Sequence, residues 1–162
     1  MPDEGNRLKE KISIFVEQSF DYSHFLPESD KCFPLHGHTS LVTLEICGDV
    51  LSSGMILDFG EAKRLLSTIL RSFDHKLVTN RRYAMLENGN PNEGETVLIK
   101  YREFEFRLPF SQVFLLDGEG TSECIARTIA EQMMQTMPPN VSSIKAAITE
   151  GFRKGTVVEI ER

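Results

Sequence analysis

Residues 38–47, HTSLVTLEIC, place Val42, Leu44 and Ile46 on one side of an extended chain and Thr43 and Glu45 on the other. A side-chain period of two belongs to a strand buried on one face only. Such a strand needs neighbours for its backbone N–H and C=O groups and a layer to cover its apolar face. The chain supplies both. Residues 11–20, KISIFVEQSF, set Ile12, Ile14 and Val16 on one face. Near the other end SSIKAAIT (142–149) and TVVEIER (156–162) repeat the pattern on either side of a Gly-Phe-Arg-Lys-Gly turn.

The covering layer is written between these strands. Asp58 is a good N-cap, and Phe59, Ala62, Leu65, Leu66, Ile69 and Phe73 recur at three- and four-residue steps behind it. A second helix is predicted from about Thr121 to Met137, with an apolar stripe of Ile125, Ile129 and Met133 and a stop at Pro138-Pro139. The order strand–strand–helix, insertion, helix–strand–strand predicts an α+β fold, a four-stranded sheet with two helices on one face. The insertion, residues 79–117, begins polar and continues with TVLIKYREFEFRL (96–108) and QVFLL (112–116), which read as extra strands. Neither an internal repeat nor a long linker divides the chain, so residues 1–162 are expected to form one domain.

Composition narrows the function classes. With 40% hydrophobic and 26% charged residues the sequence is that of an ordinary soluble globular protein. Its net charge of −6 argues against a nucleic-acid binder relying on a broad basic surface. No window approaches the ~18 uninterrupted apolar residues of a membrane helix, and MPDEGNRLKEK lacks the apolar core of a signal peptide. Three sparsely spaced cysteines, Cys32, Cys47 and Cys124, do not make a disulfide framework. A cytoplasmic protein without membrane or nucleic-acid partners is expected.

The chemistry concentrates in the histidines. Of four, three fall close together in H24-FLPESDK-C32-FPL-H36-G-H38. His36 and His38, two apart at a strand entry, point to one face, and Gly37 between them lets another group approach closely. His24 closes a set of three if the first two strands are antiparallel neighbours. Three neutral imidazoles suit zinc and leave a fourth tetrahedral corner open, as in catalytic sites. Cys32 divides the alternatives: as a fourth ligand it would close a structural site, and standing off it would be a reactive thiol beside an open one. Spacing does not decide between them.

Three further groups are ambiguous alone. Asp74-His75 is an acid–imidazole pair able to fix a tautomer, or simply a helix end with a surface histidine. Glu150, beside Thr149 at a strand end, suits a bidentate contact with the amidine edge of a heterocycle, or is a solvated carboxylate. Thr121-Ser122-Glu123 is a good helix start.

Together, F-D-Y-S-H24, C32-FPL-H36-G-H38, G54-M-I-L-D58-F, D74-H75, T121-S-E123 and T149-E150 resemble, in order, the 6-carboxy- and 6-pyruvoyl-tetrahydropterin synthase family. The resemblance implies the tunnelling fold (T-fold), with trimers closing a barrel, two trimers stacking into a hexamer, and active sites between subunits. It implies zinc (Zn2+) on His24, His36 and His38, proton transfer by Cys32, Asp74 and His75, and a pterin anchored by Glu150 in a pocket lined by Glu123 and Thr149. The implied substrate is 7,8-dihydroneopterin triphosphate, with zinc acting as a Lewis acid on the side-chain hydroxyls. Three residues between Cys32 and His36 look like the carboxy-synthase branch, whose product is 6-carboxy-5,6,7,8-tetrahydropterin, a precursor of queuosine and archaeosine, released with acetaldehyde and triphosphate. The pyruvoyl branch, a dihydroneopterin-cleaving relative, and a non-catalytic zinc module are the alternatives. The 79–117 insertion departs from the family's short loop; its Arg81 and Arg82 either meet the triphosphate or are surface charge.

Overall fold

The computed structural model describes residues 10–86 and 95–162. Two long antiparallel strands, β1 (Ser13–His24) and β2 (His36–Gly48), pair along their whole length, from Ser13 opposite Cys47 to His24 opposite His36. Even-numbered residues of both strands face inward, which buries Val16, Phe20, Tyr22, Val42, Leu44 and Ile46. Helix α1 (Phe59–Leu70) starts where Asp58 accepts from the Glu61 N–H at 3.0 Å, and it buries Ala62, Leu66 and Leu70. Helix α2 (Ser122–Thr136) is capped by Thr121, which accepts from the Cys124 N–H at 3.3 Å. Its last turn is closed by Arg162, which donates to the carbonyls of Met134 and Met137 at 3.1 and 2.8 Å.

Both helices pack on the inward face, where Ile125, Ile129 and Met133 of α2 meet the sheet residues Ile144 and Ile148 in one core. Burying each such side chain contributes ~1.5–3 kcal/mol, which is what fixes the sheet's facing. Strands β8 (Val141–Thr149, in chain order after the insertion) and a final hairpin partner, β9 (Gly155–Glu161), complete an antiparallel β1-β2-β8-β9 run. That run is the expected four-stranded sheet.

The sheet is larger than expected. Strands β3 (Lys76–Asn80) and β7 (Val113–Leu116) add to the β1 edge in parallel, giving six strands in the order β7-β3-β1-β2-β8-β9. Thr79 and Asn80, the expected polar start of the insertion, lie in β3 and are buried. Alternation does not reveal such a strand, because one covered on both faces has no polar side to show. The remainder of the insertion forms a separate antiparallel sheet, β4 (Ala84–Leu86), β5 (Thr96–Tyr101) and β6 (Phe104–Pro109), in the order β4-β5-β6. Two of these strands, β5 and β6, cover the expected 96–108 segment and end one residue beyond it. Residues 1–9 and 87–94, and with them the expectation for the N-terminal segment, lie outside the described residues.

The small sheet encloses a second core of Phe25, Leu77, Tyr83, Val97, Ile99 and Val113. Phe25 directly follows His24, and Phe33 directly follows Cys32; the Phe33 ring meets that of Phe104 edge-on at 4.7 Å. The insertion therefore packs on both ends of the loop between β1 and β2. No helix among the described residues is long and apolar enough to cross a membrane.

Candidate metal centre

The β1–β2 register builds the centre. His24 faces His36 and Tyr22 faces His38 across the pair, so all three imidazoles stand on the inward face at one end of the sheet. Gly37, between the two β2 histidines, sits where an added Cβ would lie 3.1 Å from the Tyr22 carbonyl, so the group it admits is the neighbouring strand. The Nε2 atom of His24 lies 3.0 Å from that of His36 and 3.1 Å from that of His38. Among the described residues, two sets of three donor atoms fall within 4.8 Å of one another: His24, His36 and His38, and Asp21, Asp74 and His75.

Protons decide what the first set can do. A carbonyl oxygen only accepts, so His24 Nδ1, 2.5 Å from the Gly120 oxygen, carries the proton, as does His36 Nδ1, 2.7 Å from the Pro34 oxygen. In the neutral rings both Nε2 atoms are then bare lone pairs aimed at each other across 3.0 Å. That contact is repulsive unless a positive charge sits between them. A proton is disfavoured on His24: burial pushes its pKa down, the Gly120 carbonyl partly opposes this, and the neighbouring His36 and His38 push it lower still. Burial also lowers His38, against the pull of the Glu150 carboxylate. A divalent cation resolves the conflict. Tetrahedral zinc with nitrogens at ~2.0–2.1 Å holds them about 3.3 Å apart, a few tenths of an ångström beyond the spacing here. The donor set fits zinc.

Gly120 is required at its position. A Cβ there would lie 2.6 Å from the Val78 carbonyl and 3.3 Å from His24 Cβ. The carbonyl that orients His24 thus comes from a backbone pressed against β3.

Glu150 joins this group: its Oε1 is 3.7 Å from Nε2 of both His24 and His38, and its Oε2 is 3.6 Å from Lys154 Nζ. The preceding residue, Thr149, accepts from the Leu41 N–H at 2.9 Å. Glu123, in the first turn of α2, is reached by the Ser122 hydroxyl at 3.4 Å. Cys32 is a half-buried free thiol that belongs to neither donor set, so it does not occupy a fourth corner here. Its loop is held by Cys32 N–H to the Ser29 oxygen at 3.1 Å and Leu26 N–H to the Cys32 oxygen at 2.8 Å.

Asp74 and His75 lie elsewhere. Asp74 accepts from the Asp21 N–H at 3.0 Å and from His75 Nδ1 at 3.0 Å, and His75 Nε2 is 4.0 Å from Asp21. Asp21, held to Thr39 at 2.5 Å, faces the outer side of the sheet, opposite His24. Within one chain the dyad is therefore not brought to the imidazoles. The Asp21 N–H above all, and then His75, hold the Asp74 carboxyl below its ordinary value, offset in part by desolvation. Arg81 pairs with Asp117 at 3.1 Å and Arg82 with Glu119 at 2.6 Å, so both arginines are engaged within the chain.

The sequence pattern did not single out Tyr22. Its ring stands edge-on to His24 at 5.3 Å and tilted to His38 at 5.7 Å. Burial, then the charge of Glu150, raises its pKa well above the ordinary value, so the hydroxyl stays a donor. Neither it nor the buried Ser40 hydroxyl completes a hydrogen bond of good geometry, although Ser40 is near enough to temper the shift. The available signal was its place two residues before His24 on the same strand face.

Comparison with known proteins identifies the family and the fold. Residues 13–161 match the profile of the family described as 6-pyruvoyl tetrahydropterin synthase. A Haemophilus influenzae protein named 6-carboxy-5,6,7,8-tetrahydropterin synthase is 33% identical over 140 residues, covering 83% of this chain and 90% of that protein. A Pyrococcus abyssi protein provisionally given the same name is 34% identical over 146 residues, 88% of this chain and 87% of the other. In fold, the 6-pyruvoyl tetrahydropterin synthase of Plasmodium falciparum superposes with a TM-score of 0.76 at 21% identity, covering 95% of this chain and 100% of that one. The fold is thus the T-fold of those synthases, and the chain belongs to the 6-pyruvoyl tetrahydropterin synthase family.

Proposed function

We propose that the protein is a zinc-dependent lyase that converts 7,8-dihydroneopterin triphosphate to 6-carboxy-5,6,7,8-tetrahydropterin, with loss of acetaldehyde and triphosphate. The observation that carries this reading is the pair of bare Nε2 lone pairs of His24 and His36 facing each other at 3.0 Å, with His38 completing the set. Such a constellation holds a cation and leaves a corner for substrate. Relatives named for the carboxy product, at 33% and 34% identity, support that branch over the pyruvoyl one.

Zinc on the three histidines supplies Lewis acidity toward the hydroxyls of the substrate side chain. The protein's residues do the rest. Cys32, free and half-buried on the adjoining loop, moves protons at the side chain. Asp74 fixes His75 through its Nδ1, 3.0 Å away, leaving Nε2 to exchange a proton. Because this dyad sits on the outer face, it serves the Cys32 of a neighbouring chain in a hexamer of two stacked trimers. Glu150 anchors the amidine edge of the pterin, Thr149 steadies that strand end, and Glu123 lines the pocket. The enzyme acts in the cytoplasm, where Cys32, Cys47 and Cys124 remain thiols.

Incubation of the zinc-loaded protein with dihydroneopterin triphosphate, followed by mass analysis, tests the assignment. The expected products are the carboxy-pterin and acetaldehyde; a pyruvoyl product alone would refute the branch. Cys32→Ala is expected to keep bound zinc while turnover falls at least ~100-fold, the scale of a lost proton-transfer group. Loss of zinc and fold together would instead favour a structural zinc module.

A further inference from the structure

The turn that opens the insertion converges on one carboxylate. The Asn80 amide donates to Glu119 Oε1 at 3.0 Å, and the Tyr83 hydroxyl lies 3.2 and 3.3 Å from the two Glu119 oxygens. Arg82 pairs with Oε1 at 2.6 Å, stacks over the Tyr83 ring at 4.8 Å and donates to its hydroxyl. Asn80 and Tyr83 are buried. Three donors on a single carboxylate make a charge-assisted network whose members hold one another in place.

One residue further on stands the Gly120 carbonyl that accepts from His24 Nδ1. Beyond it the chain is fixed again, by Thr121 capping α2. The Gly120–Thr121 peptide, which carries that carbonyl, is thus clamped on one side by the insertion, through Glu119, and on the other by the helix. Were it to rotate, His24 would lose the acceptor that keeps its proton on Nδ1. The ring would then be free to carry that proton on Nε2, where it has no lone pair to offer a cation.

From this geometry we infer that Glu119 is a positioning residue for the metal centre: held by Asn80, Arg82 and Tyr83, it sets the Gly120 carbonyl that fixes the tautomer and direction of His24. The insertion then has a task, to brace a metal ligand through Glu119. The inference rests on the zinc reading above. A merely structural ion pair at this position would alter stability and leave metal affinity alone.

Zinc affinity measured by competition with a chromophoric chelator separates the two. Glu119→Ala is expected to bind zinc about 10- to 100-fold more weakly, the usual cost of losing an outer-shell partner. The visible bands of the cobalt-substituted protein should shift, while the folded fraction of the metal-free protein stays at the wild-type level. Glu119→Gln, which keeps an acceptor for Asn80 and Tyr83, should recover part of the affinity. Wild-type affinity in Glu119→Ala overturns the inference, as does a weakening matched by an equal loss of folded protein. If Glu119→Ala does not fold, Tyr83→Phe removes a single hydroxyl and should weaken zinc several-fold; no change there overturns it equally. A wild-type protein that takes up no zinc defeats the zinc reading itself. Normal zinc uptake by both wild type and variant defeats only the role of Glu119.

Discussion

A histidine held neutral by its surroundings makes the protein sensitive to acid in a defined direction. The folded pKa of His24 lies below the ordinary 6.5, chiefly through burial. Below pH 6.5 the unfolded chain therefore takes up a proton that the folded chain refuses, and stability falls as pH drops from 6.5 toward the folded value. In thermal melts of the metal-free protein, the midpoint should decline between pH 7 and pH 5, and His24→Gln should flatten that decline. Asp74 contributes in the same direction, through its charged rather than its neutral form, and in a lower window. Its stabilisation is present above its unfolded value of 3.8 and is lost as pH falls through the lower folded one. At this scale the three imidazoles were legible because histidine is scarce in the chain and their spacing is unusual. The partners that orient them were not, because the Gly120 and Pro34 carbonyls belong to the backbone and have no side-chain signature.

Among elements, the loop between β1 and β2 takes its order from the small β4-β5-β6 sheet. Phe33 rests on Phe104 and, at 6.2 Å, on Tyr101, while Phe25 is buried among Tyr83, Phe104 and Phe106. Phe104→Ala should cost about 1–3 kcal/mol, less than the ~3–5 of a fully buried phenylalanine because Phe104 is partly exposed. It should also loosen the thiol loop, seen as faster alkylation of Cys32 by iodoacetamide with no change at buried Cys47. Unchanged alkylation would mean that the loop orders itself. The half-buried strands and both helices were readable from their periods, since each has one wet and one dry face. Strand β3 was not, with four of its five residues buried. Nor does Phe25 reveal in sequence that the chain after His24 turns into a second core.

At the scale of the whole molecule, neither helix among the described residues covers the outer face of the large sheet. Lys145 bridges Glu45 and Glu159 there at 3.7 Å each, Thr43 binds Glu17 at 2.6 Å, and Phe15 and Val157 stand more than 60% exposed. The Asp74-His75 dyad opens on this same side. If a neighbouring chain completes each site, a mixture of Cys32→Ala and His75→Asn chains, each inactive alone, should regain roughly a quarter of wild-type turnover after random reassembly. A mixture as dead as its parents would place thiol and dyad in one chain's own site. The register of β1 against β2 carries a last consequence. Because His24 comes from one strand and His36 and His38 from the other, a slip of one residue turns His24 to the far side and leaves two donors where three are needed. A captured ion would act as a proofreader of strand alignment, rewarding the correct pairing alone.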